Sequence, residues 1–412
     1  MSSLPRFEVL NTGTELLFGS VLNTHLSFLA QEIFSLGLRV QRQTTVPDGS
    51  AIRDAILESA TRCEIILITG GLGPTTDDIT REIVAELTNR PLSYDDSIFQ
   101  KITERFRKRG LRLTDRISRQ AYVPEGAVVL TNDFGTAPGL YIPSRNGIPH
   151  LFLLPGPPRE LAPMFTAYAL PILRTLVPMS DLHARIFRTT GIGESYVEKM
   201  VGERLLAIPG LEVGYCARMG EVDLRVIGSQ IAVSTAEEIV HAALRQNIFG
   251  DGSKELEEVV IELLGEKNAT VAVAESCTGG LLADRLTNVP GSSAVFLEGN
   301  VTYSNQAKTK TLGVPAELFS SVGAVSKEVA RAMAEGVLER SGATYSLSTT
   351  GVAGPGGGTP EKPVGTVYIG LARRHHNTHV EKLFFPTDRR SFKRICTQHA
   401  LEMLRRRILW PK

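Results

Sequence analysis

A short turn in the C-terminal part of the chain combines side chains that could carry out hydrolysis. Residues 275–280 read Glu-Ser-Cys-Thr-Gly-Gly, between an apolar run at 270–274 and a helical pattern that begins near Gly280. The turn is therefore predicted to follow a strand and to open a helix, which is where open α/β folds bind ligands. The glycines let the backbone approach a ligand, and the helix N-terminus offers N–H groups to an anion or a developing oxyanion. This arrangement predicts a hydrolytic site with Ser276 or Cys277 as its nucleophile.

A serine nucleophile needs a base. The chain from residue 255 onward contains no Gly-x-Ser-x-Gly motif and no histidine before His375. Lys308, at the end of Val-Thr-Tyr-Ser-Asn-Gln-Ala-Lys, is the most distinctive candidate, because a desolvated lysine can act as a neutral base. Tyr303 could relay or orient the proton. Cys277 remains the rival nucleophile, although it has no histidine partner nearby in the sequence.

Two further features of this region could bind a phosphate group. Residues 351–359 read Gly-Val-Ala-Gly-Pro-Gly-Gly-Gly-Thr and follow another predicted strand, so backbone amides could surround an anion there. Arg389, Arg390 and Arg394 lie near the start of the last predicted helix and could supply fixed positive charge.

A second glycine-rich loop, Gly-Gly-Leu-Gly-Pro-Thr-Thr-Asp-Asp at residues 70–78, also lies between a predicted strand and a predicted helix. It is not a Walker P-loop, because no Gly-Lys-Ser/Thr follows. Glu15 and Asp48 would bring two more carboxylates to neighbouring strand ends. Ions of the Mg²⁺ type often use one or two carboxylates together with substrate phosphate oxygens. The sequence thus favours a phosphate or pyrophosphate site, although Asp77 or Asp78 could instead cap the following helix.

These loops must be positioned by alternating strands and helices, and the pattern predicts an α/β protein of three domains, at 1–171, 172–252 and 253–412. The first domain should contain a parallel sheet covered on both faces. The second should be a small α+β connector with a helix over 194–206 and a half-exposed strand over 221–226. The third should contain strands at 270–274, 345–349 and 366–372, a helix capped by Ser326 and a closing helix over 388–407. Residues 250–253 are the predicted linker.

The composition excludes several classes of protein. The 412 residues are 42% hydrophobic and 22% charged, with 45 Lys and Arg against 44 Asp and Glu, so no global charge favours nucleic acid or a membrane surface. Aromatic residues are few, and the four cysteines form no CxxC motif, which argues against base stacking and a disulfide framework. Without an apolar signal core or a run of about 18 apolar residues, a cytoplasmic protein with no direct nucleic-acid or membrane partner is expected.

The order of the C-terminal motifs resembles the C-terminal domain of the CinA family, the nicotinamide mononucleotide deamidase fold. The motifs are Ala-Glu-Ser-Cys-Thr-Gly-Gly, Pro-Gly-Ser-Ser at 290–293, Val-Thr-Tyr-Ser-Asn at 301–305, Gly-Ala-Val-Ser at 323–326, the glycine-rich loop from 351 and Lys-Pro-Val-Gly-Thr at 362–366. The resemblance implies hydrolysis of nicotinamide mononucleotide to nicotinate mononucleotide and ammonia, with no cofactor.

By this resemblance and by the chemistry above, Ser276 is the expected nucleophile and Lys308 its base, with Thr278 and Tyr303 assisting. The other residues expected to contact the substrate are Glu275, Cys277, Gly279, Gly280, Ser292, Thr350, Gly351, Arg389 and Arg394.

The first domain resembles the N-terminal domain of CinA proteins, which shares its fold with molybdopterin-binding proteins of the MogA and MoaB type. The residues that carry the resemblance are the loop at 70–78, Gly-Thr-Glu-Leu-Leu at 13–17 and Leu-Pro-Gly-Pro-Pro-Arg-Glu-Leu at 154–161. The resemblance implies an ADP-ribose pyrophosphatase that uses a divalent metal (Mg, Mn or Co), with K⁺ as an additional ion, and Asp48 and Asp78 as metal ligands. The residues expected to form this site are Glu15, Asp48, Gly70, Gly71, Gly73, Asp77 and Asp78. The sequence departs from the family pattern at Pro47-Asp48-Gly49 and at Asn11-Thr12.

The resemblance also implies a KH-like middle domain and a homodimer. The Gly-x-x-Gly clamp of RNA-binding KH units is not evident, so RNA binding is not predicted. Two alternatives to a bifunctional pyridine-nucleotide recycling enzyme stay open: a pyrophosphatase whose deamidase is silent, and a competence-related protein that binds molybdopterin or a partner.

Overall fold

The computed structural model describes residues 4–110, 112–178 and 181–410. The chain forms two compact units, residues 1–181 and 182–412. The predicted boundary at 171 falls inside the last helix of the first unit. The predicted third domain and the predicted second domain from residue 182 onward lie together in the second unit.

The first unit is built on a six-stranded sheet in the order β2-β1-β3-β8-β7-β6, with a separate β4-β5 pair. Its strands are β1 (Phe7–Thr12), β2 (Val40–Val46), β3 (Ile65–Thr69), β4 (Leu92–Tyr94), β5 (Tyr122–Pro124), β6 (Val128–Leu130), β7 (Gly139–Ile142) and β8 (His150–Leu154). Its helices are α1 (Thr14–Leu17), α2 (His25–Phe34), α3 (Ala51–Ala60), α4 (Thr80–Leu87), α5 (Asp96–Lys108), α6 (Pro158–Met164) and α7 (Leu170–Leu176), with a 3-10 helix at Asp115–Ala121 and a π-helix at Phe165–Ala169.

The parallel sheet predicted for this unit is mixed, because one edge is antiparallel. Strands β2, β1, β3 and β8 are parallel, but β6 and β7 join the sheet in antiparallel pairing. Only a short loop connects β7 to β8, and a parallel connection would need a crossover of a dozen or more residues. Separate apolar clusters, centred on Ile66 and on Leu67, cover the two faces of the sheet as predicted.

The second unit contains an antiparallel four-stranded sheet, β10-β11-β9-β12, and a mixed five-stranded sheet, β14-β13-β15-β16-β17. Its strands are β9 (His183–Thr190), β10 (Glu212–Arg218), β11 (Glu221–Gly228), β12 (Ile248–Asp251), β13 (Val271–Glu275), β14 (Phe296–Val301), β15 (Tyr345–Gly351), β16 (Thr366–Arg373) and β17 (His379–Phe384). Its helices are α8 (Glu194–Leu206), α9 (Gln230–Leu244), α10 (Leu256–Glu266), α11 (Leu281–Thr287), α12 (Asn305–Leu312), α13 (Glu317–Ser321), α14 (Lys327–Ser341) and α15 (Arg389–Leu409), with a 3-10 helix at Ser292–Ala294.

Strand β11 corrects the expectation of a half-exposed strand at 221–226. Glu221 and Asp223 are buried on the face that was predicted to be solvated. Both carboxylates face the buried guanidinium of Arg188, which lies 2.6 Å from Glu221 and 3.5 Å from Asp223. Buried charges are tolerated when they are paired, so this ion cluster overrides the simple alternation. The predicted linker is also partly regular, since β12 includes residues 250 and 251.

The five-stranded sheet holds the predicted hydrolytic turn at one end. Strands β14, β13 and β15 are parallel, so their carboxyl ends lie at the same edge. Helices α10, α11 and α15 bury one face of the sheet, and α12 and α14 bury the other. Ser326 begins α14 as predicted, because its hydroxyl accepts a hydrogen bond from the Val329 N–H at 3.3 Å. No helix within the described ranges is long and apolar enough to span a membrane.

Candidate functional site

The turn after β13 is fixed by both neighbouring strands. The Ser276 N–H donates to the Thr349 carbonyl of β15 at 2.9 Å, and the Thr302 N–H, just after β14, donates to the Glu275 carbonyl at 2.9 Å. Gly280 adopts a φ of +92°, a left-handed conformation that glycine enters without strain. The turn can therefore reverse sharply and present Ser276, which is half-buried, at the edge where three strands end.

The Glu275 side chain was predicted to contact the substrate, but its carboxylate is bound by the protein backbone. Its fully buried carboxylate accepts hydrogen bonds from the backbone N–H groups of Gly280, Leu282 and Ala283 at 3.0, 3.0 and 2.8 Å. These are the free donors of the first turn of α11, where a negative charge is favoured. The contacts of Glu275 are thus those of a helix cap that holds the turn in shape.

We expect Glu275→Ala to lower the free energy of unfolding by about 2–3 kcal/mol, because three buried donors lose a charged acceptor. Glu275→Gln keeps one acceptor oxygen and should lose less. Denaturant unfolding curves measure both effects. Unchanged stability together with a large rise in KM would instead assign the carboxylate to the substrate.

Lys308 and Ser276 meet directly. The Lys308 Nζ lies 3.0 Å from the Ser276 Oγ, although 32 residues separate the two in sequence. Two carbonyl oxygens orient the amine, those of Thr302 at 2.9 Å and Tyr303 at 3.4 Å. Lys308 is 1% exposed, and this burial lowers the pKa of its ammonium. The geometry can therefore supply a neutral amine that takes a proton from the Ser276 hydroxyl.

The rival nucleophile Cys277 points away from the open edge. Its thiol belongs to the apolar core between the sheet and α15, and burial raises its pKa to about 12. A buried, protonated thiol is inert toward a substrate. Thr278 is fully buried as well, and its hydroxyl lies 2.6 Å from the hydroxyl of Thr349, so it can support the turn but is closed to a ligand in this conformation.

Tyr303 and Arg389 meet above the glycine-rich loop. The Arg389 guanidinium donates to the Tyr303 hydroxyl at 2.7 Å and to the Gly354 carbonyl at 2.9 Å. Both side chains are exposed, so the pair forms a polar rim that joins the segment after β14 to the glycine-rich loop. Among the arginines predicted to bind the phosphate, Arg389 thus contacts two segments of the predicted site, the one at 301–305 and the glycine-rich loop.

The other cations near the start of α15 differ in their exposure. Arg390 and Arg394 are exposed, whereas Lys393, which the sequence reasoning missed, is half-buried beside the turn. A methyl group built on Gly279 would lie 3.4 Å from the Lys393 ammonium. Lys393 follows Arg389 by four positions and so shares its helix face, a signal that the sequence did contain.

Three residues predicted to contact the substrate are closely surrounded by the protein in this structure. Ser292 is buried in a 3-10 helix, and the Thr350 hydroxyl donates to the Ala324 carbonyl at 2.8 Å. At Gly351, a side chain would approach the Thr366 carbonyl within 2.7 Å, so this glycine permits close pairing of β15 and β16.

All seven residues predicted for the N-terminal site line one cavity of about 350 Å³, which we call the loop cavity. Gly70 has a φ of +98°, and a side chain there would lie 2.5 Å from the Thr12 carbonyl. The predicted members of its wall are Glu15, Asp48, Gly70, Gly71, Gly73, Asp77 and Asp78.

The carboxylates of the loop cavity are partly engaged. Asp48 accepts from the Thr14 N–H at 2.9 Å and from its hydroxyl at 3.0 Å, and Asp78 accepts from the Thr75 N–H at 2.9 Å. Among the described residues, no three His, Cys, Asp or Glu side chains form a preformed metal cluster. The donors therefore fit an ion of the Mg²⁺ type that water and substrate phosphates would complete, rather than a closed protein cage.

The wall of the loop cavity also includes Glu160 and Gln120, which were not predicted as site residues. Glu160 accepts from the Asn132 side-chain amide at 2.8 Å, and buried Gln120 donates to the Leu72 carbonyl at 3.3 Å while its own Oε1 has no partner among the described residues. Glu160 belongs to the motif at 154–161, so the sequence could have indicated it. Gln120 lies in no recognisable motif.

Known proteins match the chain along its length. The family model described as a probable molybdopterin binding domain matches residues 8–175, that of the damage-inducible protein CinA KH domain matches 184–250, and that of the CinA C-terminal domain matches 253–408. Together they give the three-domain order that the sequence predicted.

Curated relatives extend over nearly the whole chain. A CinA-like protein of Akkermansia muciniphila is 46% identical over 96% of both chains, and one of Dictyoglomus thermophilum is 42% identical over 98% of this chain and 99% of its own. The competence/damage inducible protein CihA of Agrobacterium tumefaciens, a solved structure, is 43% identical over 36% of this chain and 91% of its own, with a TM-score of 0.36. By its full-length similarity to these relatives, the chain belongs to the CinA family.

Proposed function

We propose that the C-terminal domain hydrolyses the carboxamide of nicotinamide mononucleotide, giving nicotinate mononucleotide and ammonia. The observation that carries this proposal is the 3.0 Å contact between Ser276 Oγ and Lys308 Nζ, because it joins an accessible hydroxyl to a desolvated amine. An amide substrate needs a nucleophile, a base and a site for the oxyanion.

In the first half of the proposed reaction, the Ser276 oxygen attacks the carboxamide carbon while its proton passes to Lys308. The backbone N–H groups of Cys277 and Thr278, which follow Ser276 directly in the turn, are the proposed donors to the oxyanion. When the tetrahedral intermediate collapses, the C–N bond breaks, and the Lys308 ammonium returns the proton to the leaving ammonia. The nicotinoyl group is then an ester of Ser276.

In the second half, Lys308 accepts a proton from water, which attacks the ester carbon. The C–O bond to Ser276 breaks, nicotinate mononucleotide leaves, and the serine hydroxyl is restored. Arg389, which is exposed, and Lys393, which is half-buried beside the turn, support recognition of the substrate phosphate.

This function is tested by incubating the full-length protein with nicotinamide mononucleotide and measuring ammonia with a coupled dehydrogenase assay. We expect ammonia and nicotinate mononucleotide in equal amounts. A folded protein that releases neither product would leave the pyrophosphatase as its only proposed activity.

For the N-terminal domain we propose hydrolysis of the pyrophosphate bond of ADP-ribose. The shared cavity of glycine backbone and carboxylates supports this activity, because amides suit phosphate oxygens and the carboxylates suit a divalent ion. Asp48 and Asp78 would hold that ion. A bound Mg²⁺, Mn²⁺ or Co²⁺ ion would supply Lewis-acid stabilisation of the charge on the phosphates.

We expect Asp48→Asn to lower ADP-ribose hydrolysis by roughly 100-fold, because the site loses a metal-binding charge. Asparagine can still accept the Thr14 hydrogen bonds, so the fold should survive. Formation of AMP and ribose 5-phosphate under saturating metal, followed by chromatography, measures the loss, and Ser276→Ala is the matched control that should keep this activity. If Asp48→Asn is as active as the wild type, Asp48 does not hold the metal ion. If the wild-type protein binds molybdopterin without turning over ADP-ribose, the binding-protein alternative is favoured.

A further inference from the structure

Beside the loop cavity lies a second cavity of about 580 Å³, between α5 and residues 129–138. We call it the basic cavity, because its wall includes four cationic side chains and two carboxylates. These charged residues are Lys101, Arg105, Lys108, Arg109, Glu104 and Asp133.

The positive charge of the basic cavity is only partly neutralised. Lys108 pairs with Glu104 at 2.9 Å. Arg105 donates to the carbonyl oxygens of Asn132 at 3.2 Å and Asp133 at 2.8 Å, and its buried Nε has no partner among the described residues. Lys101 and Arg109 have no ion pair in the described part of the chain. The cavity therefore attracts an anion, and Arg105 is held there in a fixed orientation.

The two cavities share a wall. Thr136 lines both of them. Asn132, in the basic cavity, donates its side-chain amide to Glu160 of the loop cavity at 2.8 Å. A ligand whose pyrophosphate lies against the glycine-rich loop can thus extend past Thr136 toward α5.

We propose that the basic cavity is a second subsite that binds a phosphate monoester at the far end of a nucleoside diphosphate substrate. This inference rests on the proposed pyrophosphatase function. ADP-ribose extends well beyond the pyrophosphate that the loop cavity suits, and its sugar hydroxyls carry no charge to match the cations that are not neutralised in the basic cavity. A nucleotide with an additional phosphate, such as 2′-phosphorylated ADP-ribose, supplies that charge.

The test compares ADP-ribose with 2′-phosphorylated ADP-ribose on the full-length protein. Affinities are measured by titration calorimetry in EDTA, so that the result does not depend on a metal-loaded enzyme. The variant is Lys101→Glu/Arg109→Glu, and the control is Arg107→Glu, which makes one such charge reversal at an exposed position of α5 outside the cavity wall. Unfolding midpoints check that both variants fold.

We expect the wild type and Arg107→Glu to bind the phosphorylated nucleotide roughly tenfold more tightly than ADP-ribose, and the double variant to lose this preference. With metal present, KM should follow the same pattern while kcat for ADP-ribose stays unchanged. Equal affinities in the wild type, no measurable binding of the phosphorylated nucleotide, or a preference that survives the double charge reversal would overturn the proposal. If neither nucleotide is hydrolysed but the affinities follow the expected pattern, the pyrophosphatase proposal is refuted and the subsite proposal is retained.

Discussion

Ser276→Ala should abolish ammonia release from nicotinamide mononucleotide, with a loss in kcat of roughly 10³-fold or more, because the acyl-enzyme can no longer form. The side chain is half-buried at a strand end, so removing one oxygen should leave the fold and the unfolding midpoint close to those of the wild type. KM should change little, since the polar rim at Tyr303 and Arg389 is intact. Steady-state ammonia release and a denaturation curve on the same sample measure these quantities.

Cys277→Ala is the control for this experiment. The Cys277 thiol is 5% exposed and packs in the core, so its loss should lower the unfolding free energy by about 1 kcal/mol and leave kcat within a few-fold of the wild type. The opposite pattern, an active Ser276→Ala and an inactive but folded Cys277→Ala, would make the cysteine the nucleophile.

Lys308→Met should lower kcat by roughly 10²- to 10⁴-fold, because the variant keeps the length of the side chain but has no base for Ser276. The exposed lysine of the same helix, Lys310, provides the control, and Lys310→Met should retain full activity. Lys308→Arg should be as inactive as the methionine variant, since a guanidinium does not release its proton in proteins. A Lys308→Met enzyme with wild-type kcat would remove the lysine from the mechanism.

The pH dependence follows from the lowered pKa of Lys308. Because the neutral amine is the active form, kcat/KM should rise with pH through the lowered pKa and level off below the 10.5 of an ordinary lysine. The free energy of unfolding depends on pH in the same direction. Between the folded and unfolded pKa values the unfolded chain binds more protons, so this residue contributes more to the unfolding free energy as the pH rises through that window. Lys308→Met should lose both dependences, and a flat wild-type profile of kcat/KM would contradict the assignment.

Much of the architecture could be predicted from the sequence. Apolar runs that end in glycine-rich turns located β3 and β13, and the helix predicted over 194–206 coincides with α8. Local periodicity and capping chemistry act over a few residues, so they can be recognised in the sequence. The antiparallel pairing of β6 and β7 could not be predicted, because the direction of a strand depends on the sheet edge at which the chain joins the sheet.

The sequence also indicated the candidate sites only in part. The order of motifs indicated Ser276 and Lys308 together, and the glycine-rich loop indicated the carboxylates of the N-terminal cavity. Residue type and spacing could not say which of two adjacent nucleophiles is open. Consecutive side chains after a strand leave the backbone in different directions, and only packing against α15 shows that Cys277 is buried while Ser276 is accessible.

The sequence by itself determined the chemical inventory of this protein: a hydroxyl and an amine for one site, amides and carboxylates for the other, and the family to which they belong. The tertiary structure decided which of these groups can act. It turned Glu275 into the cap of α11 and brought Lys308 to 3.0 Å from Ser276. It also buried that lysine. The sequence alone could not show this, because desolvation and close contact arise between segments that are far apart in the chain.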